Sequence, residues 1–184
     1  MNIKGIAFLS GKNSVISRLG EKCWNDFYKK FKESNPEFPD KILATTKIPI
    51  DTFILFQDAM IKEFNNGNKE IWWKYGGIAA KQTLSDKGPF RIFLKRRRTP
   101  KEFINNLLHR VWNLYYDAGI AKNELEGNNM HIYLLNMPKY YIYIEYTVMG
   151  FLQKSLELVG ISVKKTVKIK GSAEEIHYKF VLDL

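Results

Sequence analysis

The chain is poor in the residues that most catalytic and metal sites use. It has 184 residues, with one cysteine, Cys23, and three histidines, His109, His131 and His177. A single cysteine excludes an intramolecular disulfide and a cysteine-clustered metal site, and it fits a reducing compartment. The histidines have no metal-ligand spacing, and neither a glycine-rich phosphate loop nor a Gly-x-Ser-x-Gly motif is present. We therefore expect no catalytic residues, no metal site and no enzyme.

The chain also lacks a long hydrophobic run. The most apolar stretch, from Tyr140 to Leu152, is too short to span a bilayer and contains Glu145. The first residues do not show the pattern of a signal peptide, which is a basic segment, then an apolar segment, then small residues. These features predict a cytoplasmic protein without a transmembrane segment.

The composition is that of a folded protein with a basic surface. Hydrophobic residues make up 45% and aromatic residues 14%, enough for a real core. Lysine and arginine number 29 against 19 acidic residues, a formal net charge of +10. Such a charge favours nucleic acid, an acidic membrane surface or an acidic partner protein. The simpler interpretation is a lysine-rich surface that keeps the protein soluble, because lysines are scattered along the chain.

Residues 1–119 have apolar positions at three- and four-residue steps, which predicts amphipathic helices. The segment up to Leu9 is interpreted as a short extended opening, with a turn at Gly11 and Asn13. A helix then follows and bends at Gly20. Asp51 is expected to cap another helix, because aspartate is a preferred N-cap residue.

Gly76 and Gly77 lie inside a further helix, which is predicted to end near Leu84. Glycine in a helix interior costs about 1 kcal/mol relative to alanine. Close packing against another helix explains them better than a bound ligand. Thr99 and Pro100 then predict the start of a helix that runs to about Tyr116.

From Ile120 onward the period changes to two, which predicts antiparallel strands with one wet face. Between two strand pairs lies a segment from Lys139 to Val159 that is apolar in every direction around a helical period. A helix that is apolar all round is buried all round. We therefore predict one α+β domain over residues 1–184, mainly helical in 1–119 and β-β-α-β-β in 120–184.

The sharpest local charge is the run Lys95, Arg96, Arg97 and Arg98, with Lys101 nearby. Consecutive cations before a helix N-terminus repel one another and oppose the helix dipole. An acidic partner protein, a phosphate-bearing ligand or a nucleic-acid backbone would satisfy them, whereas the simpler interpretation is a solvated loop.

Large rings and hydroxyls also collect where two predicted helices meet. A mostly apolar cavity with a few polar groups is typical of small-ligand sites, and a packed aromatic core is the competing interpretation. The candidate pocket residues are Phe103, Leu107, Trp112, Tyr115, Tyr116, Tyr141 and Tyr143.

The order of helices, strand pair, helix and strand pair resembles the heme-NO-binding (H-NOX) domain. That layout is shared with 4-vinyl-reductase-like sensor domains and small subunits of the TRAPP tethering complex. The resemblance begins at Lys4-Gly5-Ile6 and includes Ile48-Pro49 before a helix. It continues through the segment from Glu70 to Ala80, Gly150 inside the buried helix and Gly160 after it. It implies a sensor fold whose interior holds heme, a hydrocarbon or an acyl chain, and it is compatible with a homodimer.

The same resemblance argues against heme. H-NOX domains hold heme through a histidine on a central helix and bind its propionates through a Tyr-x-Ser-x-Arg motif. The matching segment here, from Tyr133 to Pro138, has leucine and methionine in place of the serine and arginine. His109 is the one candidate axial ligand, and a boundary residue on its helix is the simpler interpretation.

The sequence thus predicts a non-enzymatic sensor or adaptor, a heme-less bacterial relative of these domains. We expect it to bind a small apolar ligand or a partner protein. The alternative is a basic binding module for nucleic acid or an acidic protein partner through Lys95–Arg98.

Overall fold

The computed structural model describes residues 1–86, 88, 90–91 and 100–184, and within 100–105 only the side chain of Phe103. Helices precede a four-stranded sheet in these residues, which confirms the predicted α+β class. The elements are β1 (Asn2–Lys4), α1 (Ile6–Leu19), α2 (Glu21–Ser34), β2 (Lys47–Pro49), α3 (Ile50–Asn65), α4 (Ile71–Leu84), α5 (Pro100–Tyr115), β3 (Ile120–Glu126), β4 (Asn129–Leu135), α6 (Ile142–Leu158), β5 (Ser162–Gly171) and β6 (Glu175–Asp183). None of the described helices is long and apolar enough to cross a membrane.

The chain divides into two compact units. The first, the N-terminal unit, contains Met1–Lys69 and Leu114–Asp117. The second, the sheet unit, contains Glu70–Asn113 and Ala118–Leu184. The expectation that residues 1–184 form a single domain stays a prediction.

The N-terminal unit combines a short antiparallel sheet with three helices. In that sheet Ile3 of β1 pairs with Ile48 of β2, and Ile3 also bridges to Tyr116. Both isoleucines are fully buried. Helices α1, α2 and α3 turn aromatic side chains toward one another and form an apolar core. The buried rings of this core are Phe8, Trp24, Phe27, Phe31, Phe38, Phe53 and Phe56.

Two local predictions in this unit are wrong. Helix α1 already begins at Ile6, so Gly11 and Asn13 lie inside a helix and form no turn. Asn13 is exposed on this helix and Gly11 lies beside Met60, and a glycine close to an exposed asparagine has the same sequence pattern in a helix as in a turn. Asp51 lies in the first turn of α3 and is not its N-cap residue, because the helix begins at Ile50 and Pro49 occupies the N-cap position. The break at Gly20 is confirmed, with φ of 87°.

The sheet unit is built on one antiparallel sheet in the order β3-β4-β6-β5. Its buried face carries alternate residues of β4 and β6, because successive side chains of a strand point to opposite faces. These residues are Met130, Ile132, Leu134, Ile176, Tyr178, Phe180 and Leu182. The predicted antiparallel strand pairs and the turn after Gly171 are confirmed.

Helix α6 is buried along nearly all of its length, as its apolar circumference predicts. Only Glu157 and Leu158 at its C-terminal end are exposed. The helix is shorter than predicted, because Tyr140 and Tyr141 belong to the segment before it.

Two glycines let α4 and α6 approach closely. A Cβ atom at Gly76 of α4 would clash with the carbonyl oxygen of Thr147, and one at Gly150 of α6 would clash with that of Trp73. Each helix therefore carries a glycine at the point where the backbone of the other helix comes closest. Gly77 faces Lys154 at ordinary van der Waals distance, so only the first of the two adjacent glycines is required by packing.

Candidate functional site

The sheet unit contains a charged cluster around Glu145, in the first turn of α6. This side chain is fully buried, and among the described residues it is the only acidic or basic residue that is. The position suits a carboxylate, because helix N-termini stabilise negative charge. A buried charge must nevertheless be paired and hydrogen-bonded, since its desolvation is costly.

Three side chains from three other segments surround this carboxylate. The hydroxyl of Tyr178 on β6 donates to Oε1, and that of Tyr140, before α6, donates to Oε2 at 2.5 Å. Lys168 on β5 places Nζ 2.8 Å from Oε1 and 3.0 Å from Oε2. The ammonium also donates to the Tyr140 hydroxyl at 3.1 Å. Both carboxylate oxygens are therefore engaged.

The pKa values of these groups move away from neutrality. Burial raises the pKa of Tyr178, and its hydrogen bond to Glu145 raises it further. The same two causes raise the pKa of Tyr140. For Lys168, partial burial acts to lower the pKa, but the hydrogen bonds to Glu145 and Tyr140 outweigh it and the net change is upward. At neutral pH both hydroxyls and the ammonium therefore keep their protons and donate.

The cluster is suited to holding structure rather than to acid–base chemistry. A general base needs an oxygen free to accept a substrate proton. Here each Glu145 oxygen already accepts from a hydroxyl and faces the ammonium. The cluster instead ties the start of α6 to the edge strand β5 and to β6.

A small apolar cavity lies elsewhere in the sheet unit, between α5, α6 and the buried face of the sheet. Its volume is about 10 Å³, close to the roughly 10–15 Å³ that one water-sized sphere occupies. Asn123 of β3 is the one polar residue in its lining. The lining residues are Phe103, Leu107, Leu108, Asn123, Met130, Ile132, Leu152 and Leu156.

The candidate pocket residues fall into separate groups. Phe103 and Leu107 line this cavity. Trp112 is buried in the same unit, where its Nε1 donates to the carbonyl of Ala118 at 3.2 Å. Tyr143 packs edge-on against Trp72 with ring centroids 5.6 Å apart.

The other three predicted pocket residues are tyrosines. Tyr141 is buried in the sheet unit, in the segment before α6. Tyr115 and Tyr116 belong to the N-terminal unit, with ring centroids 6.4 Å apart. A pocket shared by all seven residues stays a prediction.

The predicted basic patch lies outside the part of the chain that the structure describes. Lys95, Arg96, Arg97 and Arg98 lie outside the described residues, and so does the side chain of Lys101.

Strand β5 carries four lysines, Lys164, Lys165, Lys168 and Lys170, and three of them form ion pairs. Lys164 pairs with Asp183 at 2.7 Å and Lys170 with Glu175 at 2.9 Å, while Lys168 binds Glu145. Because β5 is an edge strand, these lysines also discourage pairing with a strand from another molecule.

Leu135 and Met137, which the sequence aligns with the serine and arginine of the H-NOX propionate motif, are apolar. Leu135 ends β4 and pairs with Ile120 and Glu175 within the sheet. Met137 is buried, with 5% of its surface exposed. Neither side chain can bond a propionate. His109 is exposed on α5, and its Nε2 lies 3.0 Å from Nδ2 of Asn113.

Sequence reasoning missed the Glu145 cluster. Glu145 interrupts a run that is otherwise apolar on all sides, and that contrast was the available signal. A carboxylate on a wholly buried helix requires a partner, and Lys168 and Tyr178 supply it from 23 and 33 residues away.

No protein-family model matches the chain, and no curated protein matches it. Solved structures of H-NOX proteins do match it. An H-NOX protein from S. oneidensis in the Fe(II)NO ligation state has a TM-score of 0.74 at 12% identity, over 98% of this chain and 99% of that one. The Fe(II) unliganded H-NOX protein from K. algicida has a TM-score of 0.70 at 16% identity, over 98% and 97%.

A mutant of the T. tengcongensis H-NOX protein gives a similar result, with a TM-score of 0.69 at 12% identity over 98% of each chain. At these identities the likeness concerns the fold. Over nearly its whole length, the chain resembles the H-NOX proteins and has their α+β fold.

Proposed function

We propose that this chain is a non-enzymatic sensor or adaptor domain of the H-NOX kind that binds a small apolar ligand, or a partner protein, without heme. The observation that carries the proposal is the apolar cavity between α5, α6 and the sheet, lined by Phe103 and Leu107. It combines an apolar wall with one polar residue, Asn123, which is the composition of small-ligand sites. The proposal includes a cytoplasmic location, because the single cysteine fits a reducing compartment.

The size of the cavity limits the ligand. At about 10 Å³ it accommodates no more than about one heavy atom as it stands. A longer hydrocarbon would require Phe103 or Leu107 to adopt another rotamer, a change that packed side chains make between discrete states. In the proposed domain, ligand entry therefore moves side chains of α5 relative to α6. A partner protein could detect this local change.

The heme-free part of the proposal rests on Leu135 and Met137. The neighbours include proteins described as Fe(II) and Fe(II)NO forms, and their fold family bonds heme propionates with polar groups. This chain presents two apolar side chains there, and burying a propionate carboxylate without a partner is costly. The test is a titration of purified protein with hemin, followed by the absorption spectrum. We expect no saturable, stoichiometric spectrum of a bound heme, and its appearance would refute this part.

Two comparisons make the heme test specific. The double variant Leu135→Ser, Met137→Arg restores the family's motif beside Tyr133 and should raise hemin affinity relative to the natural chain. If the natural chain binds hemin, His109→Ala reports whether that histidine is the axial ligand. Circular dichroism confirms that each variant is folded.

The ligand itself is tested by extraction of purified protein with organic solvent and mass spectrometry. We expect a small apolar molecule at a reproducible ratio to protein. Leu107→Phe fills the cavity and should lower that ratio. Leu158→Phe makes the same substitution at an exposed position of α6 and should leave it unchanged. Equal ligand content in both variants, or none in the natural chain, would contradict the small-ligand proposal.

A further inference from the structure

The solvent-facing side of the sheet brings together two of the chain's three histidines, His131 on β4 and His177 on β6. These strands are neighbours in the sheet, although α6 and β5 separate them along the chain. In their antiparallel register Tyr133 lies opposite His177, and Lys179 lies opposite His131. The two imidazoles are therefore diagonal neighbours. Nδ1 of His131 and Nε2 of His177 are 2.9 Å apart.

The two nitrogens lie within hydrogen-bond distance, so without a metal one ring donates its N–H to the other. When the donor ring carries its proton on its other nitrogen instead, both facing nitrogens present a lone pair to one ion. A neutral imidazole has one donor and one acceptor nitrogen, and a metal takes the acceptor nitrogen. With metal–nitrogen bonds of about 2.0–2.1 Å, a 2.9 Å separation corresponds to a nitrogen–metal–nitrogen angle of roughly 90°. That is the angle between adjacent ligands in tetragonal Cu²⁺ and Ni²⁺ complexes, and it is narrower than a tetrahedral Zn²⁺ site prefers.

The surroundings of His177 hold its ring in place. The Tyr133 ring stacks on it with centroids 4.3 Å apart, and its side chain is only 13% exposed. Glu175 shares its carboxylate between two neighbours: Oε2 lies 2.9 Å from Lys170, and Oε1 lies 3.8 Å from Nδ1 of His177. At 3.8 Å this contact is longer than a hydrogen bond, but a carboxylate on that side favours a proton on Nδ1, the tautomer that leaves Nε2 free for a metal.

The nearby charges are of both signs. Glu124 lies opposite His131 in the β3–β4 register. Lys122 pairs with Glu124 at 3.3 Å, and its ammonium lies 4.9 Å from the Tyr133 ring centroid. Lys179 lies opposite His131. Glu124 pairs with Lys122 and Glu175 with Lys170, so of these three lysines only Lys179 adds a net positive charge beside the histidine pair.

We propose that His131 and His177 form a two-imidazole site for a divalent transition-metal ion, with Cu²⁺ or Ni²⁺ as the best geometric match. Glu175 is the positioning residue. Within residues 1–86, 88, 90–91 and 100–184, no group of three or more histidine, cysteine, aspartate or glutamate side chains could hold a metal ion. Water therefore completes the coordination, and the site is open and exchangeable. It lies on the outer face of the sheet and is independent of the apolar ligand proposed above.

The test is a titration with Cu²⁺, read by calorimetry and by electron paramagnetic resonance, with Cys23→Ser as the background because that thiol would reduce or bind copper. We expect one ion per chain and nitrogen hyperfine splitting from two imidazoles. Loss of a supporting residue alone weakens metal sites by about 10–100-fold, so His131→Ala and His177→Ala should each weaken binding by at least about tenfold. His109→Ala, at the exposed third histidine, is the matched control and should change nothing.

Glu175→Gln separates positioning from coordination. It should weaken Cu²⁺ binding while the two-nitrogen spectrum persists, whereas a merely structural role would leave the affinity unchanged. The proposal is overturned if the background protein shows no two-nitrogen signal, or if His131→Ala and His177→Ala bind as it does. If an alanine variant does not fold, His131→Gln and His177→Gln, which keep a polar side chain of similar size, give the same two readouts.

Discussion

In the N-terminal unit the core consists of aromatic rings in contact with one another, whereas in the sheet unit the core encloses a charged cluster. Phe56 of α3 illustrates the first kind. Its ring lies 5.0 to 6.2 Å, centroid to centroid, from those of Phe8, Trp24, Phe27, Phe31, Phe38 and Phe53. Glu145 of α6 illustrates the second, with Tyr140, Lys168 and Tyr178 around a fully buried carboxylate.

The two cores differ in what can disturb them. Ring contacts are tolerant of pH and salt, because they depend on buried apolar area and on ring geometry. A charged cluster is directional and depends on each member keeping its proton state, so losing one member leaves the others without compensation. The N-terminal unit should therefore respond to changes of volume, and the sheet unit to changes of charge.

The largest effect is expected for Phe56→Ala, because truncating a buried phenylalanine removes apolar burial and leaves a cavity. The free energy of unfolding should fall by about 3–5 kcal/mol. Denaturant titration measures it. Leu55→Ala, at the preceding and 53% exposed position, is the control and should have a far smaller effect. Similar losses from both variants would mean that α3 does not pack as described.

Next in size is Lys168→Met, which keeps the aliphatic stem but leaves Glu145 without its cation. Breaking a fully buried ion pair costs about 3–5 kcal/mol, and we expect a smaller loss here because the Lys168 side chain is 42% exposed and two tyrosines still donate to the carboxylate. Lys170→Met on the same strand removes an exposed pair with Glu175 and should change stability little. Denaturant titration measures the free energy of unfolding of both variants, and the difference between them reports how much the burial of the Glu145 carboxylate matters. Equal effects would show that the Glu145 cluster contributes no more than a surface pair.

The sequence predicted what depends on local periodicity. Uniform apolarity around α6 predicted its burial, alternation from Ile120 onward predicted the strands, and Gly76 within a helix predicted close packing. Each is a property of neighbouring positions, which hydrophobic patterns report directly.

The rest depends on register between distant strands. His131 and His177 had no ligand spacing in the sequence, because their proximity follows from β4 pairing with β6 rather than with β5. The partners of Glu145 on β5 and β6 likewise depend on how these strands lie beside α6, which the sequence pattern does not specify. A two-residue shift of either strand would preserve the alternation and exchange these partners. Of the candidate pocket, only the short-range pair Phe103 and Leu107, one helical turn apart, meets at the cavity.

Where α4 meets α6, we expect smaller changes in the free energy of unfolding. Substitutions at the adjacent positions Gly76 and Gly77 should change it in opposite directions. Gly76→Ala places a methyl group against the carbonyl of Thr147, and such overpacking costs about 1–3 kcal/mol. Gly77→Ala meets the Lys154 side chain at 3.5 Å and should stabilise the protein by up to about 1 kcal/mol, because alanine favours helix. Thermal unfolding compares the two variants. Stabilisation by both would contradict the close approach of these helices.

The change of stability with pH in the alkaline range separates the two cores most cleanly. The pKa values of Tyr178 and Lys168 are raised in the folded chain, so their stabilising contributions are fully present below their unfolded values, near about pH 10, and are lost as pH rises through the folded values. Tyr178→Phe removes one hydrogen bond to a charged group and should cost about 1.5–3 kcal/mol at pH 7.

The loss caused by Tyr178→Phe should then shrink as pH rises above about 10, because deprotonation of Tyr178 stabilises the unfolded natural chain, whereas the variant has no such proton to lose. The loss caused by Phe56→Ala should stay constant over the same range, since the six rings around Phe56 carry no titratable group. Denaturant titrations of the natural chain and both variants at several pH values measure the two differences. If the two differences followed the same pH dependence, the Glu145 cluster would not distinguish the core of the sheet unit from the aromatic core of the N-terminal unit. The stability lost in Tyr178→Phe would then have to be assigned to lost packing.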